Sequence, residues 1–266
     1  MPSLHNVVGR GLIRAAKVVF MYNFFVDLEN KKQDRYFITG GDFNHIKNVL
    51  RMNVGEQFLV SCLDVSDLCE IESIQSDTIV VKIIEENYQS TNLPIKIHLF
   101  QGLPKSDKLE LIIQKVVELG IASVTPVAMK RSIVKIDDKK KKSKQERWQA
   151  IATAAAKQSK RTSIPEVCDI LSYKEFIKKA SELDILLVPY ECADGMVATK
   201  EAISQIKSGM SVGIIIGPEG GFEQKEIDEA ISAGGKVISL GSRILRTETA
   251  AITATAMCML YSEMEL

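Results

Sequence analysis

Residues 213–246 read GIIIGPEGGFEQKEIDEAISAGGKVISLGSRILR, and the alternation of apolar runs with glycines in this stretch decides the fold. Residues 212–216 form a short apolar run bounded by glycine, which predicts a buried strand. Gly217-Pro218-Glu219-Gly220-Gly221-Phe222 follows as a loop with three glycines. Residues 223–233 place Ile227, Ala230 and Ile231 at helical spacing. Residues 236–240 predict a second strand, and Gly241-Ser242-Arg243 a second glycine loop, before Leu245-Arg246 opens a long helix. Two strands thus deliver two glycine-bearing loops one helix apart. In α/β sheets, loops at the carboxyl ends of strands are where small ligands bind.

The ligand class follows from what surrounds the glycines. A phosphate-cradling loop needs Lys and Ser or Thr after its last glycine, and here Phe222 and Glu223 stand there. The dinucleotide spacing G-x-G-x-x-G is absent as well. Glu219 is a poor phosphate partner and suits a ligand that is cationic or rich in donors. Glycines can also serve tight turns alone, but two such loops followed by Leu-Arg-Thr-Glu-Thr-Ala favour a ligand site.

Gly217 to Phe222, Leu240-Gly241, and Ile244-Leu245-Arg246-Thr247-Glu248-Thr249-Ala250 resemble the S-adenosylmethionine-binding signature of the bacterial 16S rRNA uridine-N3 methyltransferases. These belong to the SPOUT superfamily, so the resemblance implies a C-terminal α/β domain with a trefoil knot. It also implies that Ile216, Gly217, Pro218, Glu219, Gly220, Gly221, Phe222, Leu240, Gly241, Ile244, Leu245 and Arg246 hold the cofactor, with Pro189 and Glu191 bordering its adenosine side.

Working outward, 266 residues allow one large or two modest domains. The formal net charge is zero, so any RNA-binding surface must be a local patch. Cys62, Cys69, Cys168, Cys192 and Cys258 show no C-x-x-C, and His5, His45 and His98 no ligand spacing, so neither metal nor disulfide framework is expected and a reducing, cytoplasmic setting fits. No apolar run reaches membrane-spanning length. Residues 1–20 carry Arg10, Arg14 and Lys17 and no acid, with apolar residues at helical spacing. They read as an organellar transit peptide or as a dispensable leader, because the segment from Met21 resembles the family's beginning.

Residues 21–88 hold short β-rich runs at 24–26, 35–38, 57–63, 68–74 and 78–84, separated by turn signals, which predict a small barrel. One helix, residues 43–50 capped by Asp42, interrupts them. It carries His45-Ile46-Lys47-Asn48-Val49-Leu50-Arg51, similar to the family's His-x-x-x-Val-Leu-Arg motif; the resemblance makes this a PUA-like RNA-binding barrel, with His45 and Arg51 as RNA contacts. Asn23 departs from the Arg common near the family's start.

The polar segment ending at Pro94 marks the domain boundary, and residues 92–266 then alternate strand and helix, predicting a parallel sheet with helices on both faces. Leu103-Pro104-Lys105, residues 115–120 and Arg131-Ser132 also resemble the family, with Lys105 an RNA contact. Residues 135–147, with six lysines and Arg147, read as a solvated loop that as a patch would attract an RNA backbone. Residues 146–160 predict an alanine-rich helix ending in Gln158-Ser159-Lys160-Arg161, similar to a family segment that makes Gln158 an RNA contact and Arg161 an active-site residue. The last helix, residues 247–263, is apolar on most sides, which suggests a subunit interface; SPOUT enzymes are homodimers.

The resemblance therefore implies an S-adenosylmethionine-dependent enzyme that methylates uracil N3 in 16S rRNA of the small ribosomal subunit, with Arg161 and Arg246 stabilising charge on the base. Two other readings are a non-catalytic RNA-binding protein and a SPOUT methyltransferase acting on tRNA. The intact glycine loops argue against the first, and the barrel with its His45 to Arg51 motif against the second.

Overall fold

The computed structural model describes residues 22–134, 136–191 and 195–266; the leader at 1–20, Lys135 and Cys192 lie outside them. The chain divides into two compact units, one ending at Ser90 and one spanning Thr91–Leu266.

The first unit is a curled six-stranded sheet. Strands β1 (Asn23–Phe25), β2 (Lys31–Lys32), β3 (Arg35–Ile38), β4 (Gln57–Cys62), β5 (Val65–Ile74) and β6 (Ile79–Gln89) are ordered β1-β4-β5-β6-β3-β2. β1 pairs parallel with β4, and the other ladders are antiparallel. Phe24, Phe58, Tyr36, Ile46 and Ile71 fill its core, with the Phe24 and Phe58 rings edge to face at 5.0 Å. Asp67 is buried there and fully engaged. It accepts from Tyr36 Oη at 2.7 Å, Lys31 Nζ at 3.2 Å and the Asn87 N–H at 2.8 Å. The helix differs from expectation. α1 (Gly40–Asn44) starts earlier, from Thr39, so Asp42 sits in its first turn instead of capping it, and the chain continues as a wider π turn over His45–Val49.

The second unit is a parallel sheet flanked by helices. Its strands are β7 (Lys96–Gly102), β8 (Ser123–Ala128), β9 (Glu166–Val167), β10 (Leu171–Ser172), β11 (Ile185–Pro189), β12 (Ser211–Ile216) and β13 (Lys236–Ile238). They are ordered β10-β8-β7-β12-β11-β13, with β9 also on β8, and every pairing is parallel. The central strand β12 is almost wholly apolar because both its faces are covered. Its Val212, Ile214, Ile215 and Ile216 are all buried, each stabilising the fold by roughly 1.5–3 kcal/mol relative to exposure.

The helices are α2 (Lys108–Glu118), α3 (Asp138–Gln158), α4 (Tyr173–Ala180), α5 (Gly195–Ile203), α6 (Gln224–Ser232) and α7 (Thr247–Glu265). In α2, Leu109, Ile112, Ile113, Val116 and Val117 form the buried stripe that their spacing predicts. In α6, Glu223 and Glu226 form a capping box. The lysine run departs from its reading as a loop. Residues 138–147 are the first half of α3, whose start is fixed by the Asp137 carboxylate accepting the Lys139 N–H at 3.2 Å. Among the described residues no helix is long and apolar enough to cross a membrane.

Candidate active site

Strand order explains how two loops separated by a helix come together. β11 lies between β12 and β13, so all three parallel strands present their carboxyl ends side by side. The segments leaving them, residues 189–191, 217–222 and 244–246, line a cleft of about 600 Å³. Pro189, Ile216, Gly217, Pro218, Glu219, Gly220, Gly221, Phe222, Ile244, Leu245 and Arg246 all line it. Leu240 and Gly241 line an adjoining recess of about 110 Å³ that shares Pro189, Ile244 and Leu245. The edge of the Phe222 ring meets Tyr190 at 6.3 Å between centroids, joining two of the three segments.

The glycine loop is held from below. Thr247 Oγ1 donates to the Gly217 carbonyl at 2.7 Å and receives Gln101 Nε2 at 2.9 Å, so β7, the loop and the start of α7 meet in one buried chain of hydrogen bonds. Gly221 adopts a φ of +69°, and its N–H closes a turn onto the Pro218 carbonyl at 2.8 Å. A glycine that the motif does not contain is as important. A Cβ on Gly102 would stand 2.7 Å from Pro218 N and Cδ and 2.7 Å from Met129 Sδ. Pro218 is fixed by its neighbours, so Gly102→Ala must push the loop into the cleft. We expect a stability loss of about 1–3 kcal/mol and a cleft too narrow for its ligand. Thermal unfolding and ligand calorimetry on this variant check both effects.

The electrostatics centre on Lys108. Its Nζ lies 3.0 Å from Glu219 Oε1 and 3.4 Å from Glu248 Oε2, and the Lys105 N–H also donates to Glu219, at 3.1 Å. Burial works to raise the Glu219 carboxyl, but Lys108 and the backbone donors outweigh it and hold it below the usual carboxylate value. The same Glu219 hydrogen bond raises the Lys108 ammonium. On the opposite side, Glu226 accepts from the Lys130 N–H at 2.9 Å, which positions Arg131 to donate to the Gly220 carbonyl at 3.1 Å.

Not every expected residue reaches the cleft. Arg161 does not line it: it is only 5% exposed. Lys160, at a φ of +56°, turns the chain after α3. The Arg161 guanidinium then donates to the carbonyls of Ile121 at 2.6 Å and Val117 at 3.4 Å, and to Ser163 Oγ at 3.2 Å. It closes the carboxyl end of α2, where orphan carbonyls and the helix dipole favour a cation. Gln158 is exposed and lines a separate groove with Glu110, Leu111 and Gln114. Lys105 is exposed beside the glycine loop. In the first unit, His45 is exposed with its ring 6.0 Å from Phe24, and Arg51 is exposed at a φ of +53°. Among the described residues no group of His, Cys, Asp or Glu is placed to hold a metal.

Residues 91–259 match the model of an RNA methyltransferase domain, and residues 38–84 that of an RNA methyltransferase PUA domain. The chain belongs to this RNA methyltransferase family. Among curated relatives of this methyltransferase, the ribosomal RNA small subunit methyltransferase E of Bacillus subtilis is 38% identical, covering 92% of this chain and 98% of its own. A Legionella pneumophila methyltransferase, solved with bound cofactor SAM, is 31% identical at a TM-score of 0.76, covering 91% of this chain and 98% of its own. The ribosomal RNA small subunit methyltransferase E of Neisseria gonorrhoeae, solved with S-adenosyl methionine, is 26% identical at a TM-score of 0.75, with the same coverage.

Sequence reasoning missed four residues that line or support this cleft: Lys108, Arg131, Gly102 and Glu226. Each acts on the cleft across at least 89 positions of sequence. Only Arg131 carried a signal, its place in a family-like Arg-Ser pair.

Proposed function

We propose that this chain transfers the methyl group of S-adenosylmethionine to N3 of a specific uridine in 16S rRNA of the small ribosomal subunit. The observation that carries the reading is the meeting of the first glycine loop, the 189–191 segment and Ile244 to Arg246 around one cleft, with the second glycine loop lining the recess that adjoins it. The size of the cleft lies in the range of small-molecule sites, and its lining suits this cofactor. Phe222, Ile216 and Leu245 offer apolar surface, backbone at the glycines can approach closely, and the ionised Glu219 faces a cationic ligand. Both SAM-bound relatives support the same choice.

The cofactor supplies a methyl group on a sulfonium, and the chain supplies position and charge. Uracil N3 becomes nucleophilic as its proton leaves, and the negative charge spreads to the flanking carbonyl oxygens. Arg246, exposed at the mouth of the cleft, is the cation that meets that charge. Glu248 Oε2 is buried 3.4 Å from Lys108 Nζ, which favours water over this carboxylate as the acceptor of the N3 proton. His45 and Arg51 in the PUA unit, and Lys105 beside the glycine loop, contact the RNA.

The second unit carries the SPOUT trefoil knot in this reading. Its support is the path of α7, which returns from edge strand β13 to pack on α2, β7 and β12. The chain also forms a homodimer through α7. That helix buries Ala251, Ala254, Thr255 and Cys258, yet its other side and α5 leave an apolar groove lined by Met196, Ile252, Met257, Leu260 and Met264, with Met264 70% exposed. Exposed apolar surface of this kind marks an interface. An rRNA substrate and the free cysteines among the described residues, Cys62, Cys69, Cys168 and Cys258, all buried or half-buried, fit a cytoplasmic enzyme.

The test is methyl transfer from labelled S-adenosylmethionine to small ribosomal subunits lacking the modification and, separately, to tRNA, followed by nucleoside analysis, with calorimetry for cofactor binding. Label in N3-methyluridine is expected. Cofactor binding with label in tRNA alone would move the activity to another substrate, and neither binding nor label would leave a non-catalytic RNA-binding protein.

A further inference from the structure

We propose that the first two turns of α3 form a second RNA-binding surface, a lysine-covered helix end that grips the phosphodiester backbone of the substrate. The proposal rests on the reading of the chain as an rRNA methyltransferase, and it places a phosphate contact inside the catalytic unit.

Two features of this helix end are unfavourable without a partner. Residues 139–144 are all exposed, so none of these six side chains is packed into the body of the protein; the first hold is Gln145, half-buried and donating to the Val167 carbonyl at 2.8 Å, and among the described residues the buried stripe of α3 begins at Trp148. Lys139, Lys140, Lys141, Lys142 and Lys144 also crowd the end of the helix where the macrodipole is already positive and where acids are preferred. Folding alone would favour the opposite charge. Arg147, at the end of the run, is tied to Glu110 at 2.8 Å, and Lys144 lies over the Trp148 ring at 5.8 Å. Among the described residues, Lys139, Lys140 and Lys142 make no ion pair.

The chain as a whole has zero formal net charge, so this density of cation is a local feature and not a general basicity. Lysines on a rigid helix track a phosphate backbone as point charges and carry no base preference. Their contribution is affinity and salt dependence, with specificity left to the cleft and the PUA unit.

The test compares the full chain with the Lys139→Gln/Lys140→Gln/Lys142→Gln variant. It reads KM and kcat for methyl transfer to small subunits, anisotropy on naked 16S rRNA across a salt series, and thermal unfolding. Loss of three phosphate contacts should raise KM on the order of tenfold or more and flatten the salt slope by about 2–3. Turnover and cofactor affinity should hold, and the thermal midpoint should stay or rise because repulsion with the dipole is relieved. A merely structural role would lower the midpoint instead and leave the salt slope unchanged.

Equal RNA affinity and slope in both proteins would overturn the surface. So would weakened binding to whole subunits with naked rRNA bound as before, which would assign the patch to ribosomal protein. If the wild-type chain methylates no rRNA, the reading of the reaction falls separately. Anisotropy then still judges the surface: equal binding overturns it, and weaker binding with a flatter slope upholds it.

Discussion

Replacing Arg246 by alanine lowers kcat for uridine methylation by roughly 10²–10³-fold, the loss typical of removing one charge-stabilising group from a reaction centre. Arg246 lines the cleft, is exposed, and stands at the N-cap position of α7. A cation there opposes the helix dipole and costs the helix roughly 0.3–1 kcal/mol, so nothing in folding favours it. Thermal stability should therefore hold or rise slightly in Arg246→Ala. Steady-state kinetics at saturating substrate, with calorimetry for S-adenosylmethionine, separate the cases. A fall in cofactor affinity with kcat intact would make Arg246 a cofactor contact only. Arg246→Lys should recover part of the rate, because it restores charge without the planar donor fork.

Arg161→Ala is expected to act in the opposite way. Its guanidinium is buried and serves the carbonyls of Val117 and Ile121. Removing it leaves those acceptors unpaired, and hydrogen bonds to charged groups are worth about 1.5–3 kcal/mol each. We expect a loss of about 3 kcal/mol, which for a unit of this size lowers the thermal midpoint by roughly 6–12 °C. Turnover measured well below that midpoint should survive. An unchanged midpoint with turnover abolished would instead return Arg161 to the chemistry. Both arginines follow family-like motifs in the sequence, and only burial distinguishes the one at the cleft from the one beneath a helix.

The lysine run shows how a sequence reading can fail with the signal present. A charge-rich stretch suggests a solvated loop, yet Lys, Gln, Glu and Arg are good helix formers, and Asp137 stands where an N-cap belongs. Charge reported exposure correctly and said nothing about backbone conformation. The start of α1 was misread for a related reason. Asp42 has the chemistry of a cap, but the helix already begins at Gly40, following Thr39.

By itself the sequence determined the alternation of strand and helix in the second unit, the two glycine loops, and the residues of those loops that line the cleft. Periodicity and glycine placement are local properties, fixed by a few consecutive residues. Tertiary structure decided that β11 inserts between β12 and β13, which brings the loops together. It also decided that Gly102 leaves room for Pro218, that Lys108 joins Glu219 to Glu248, and that Arg161 turns inward. Each of these depends on atoms brought within a few ångströms from distant parts of the chain, and no local pattern encodes which distant atoms those are.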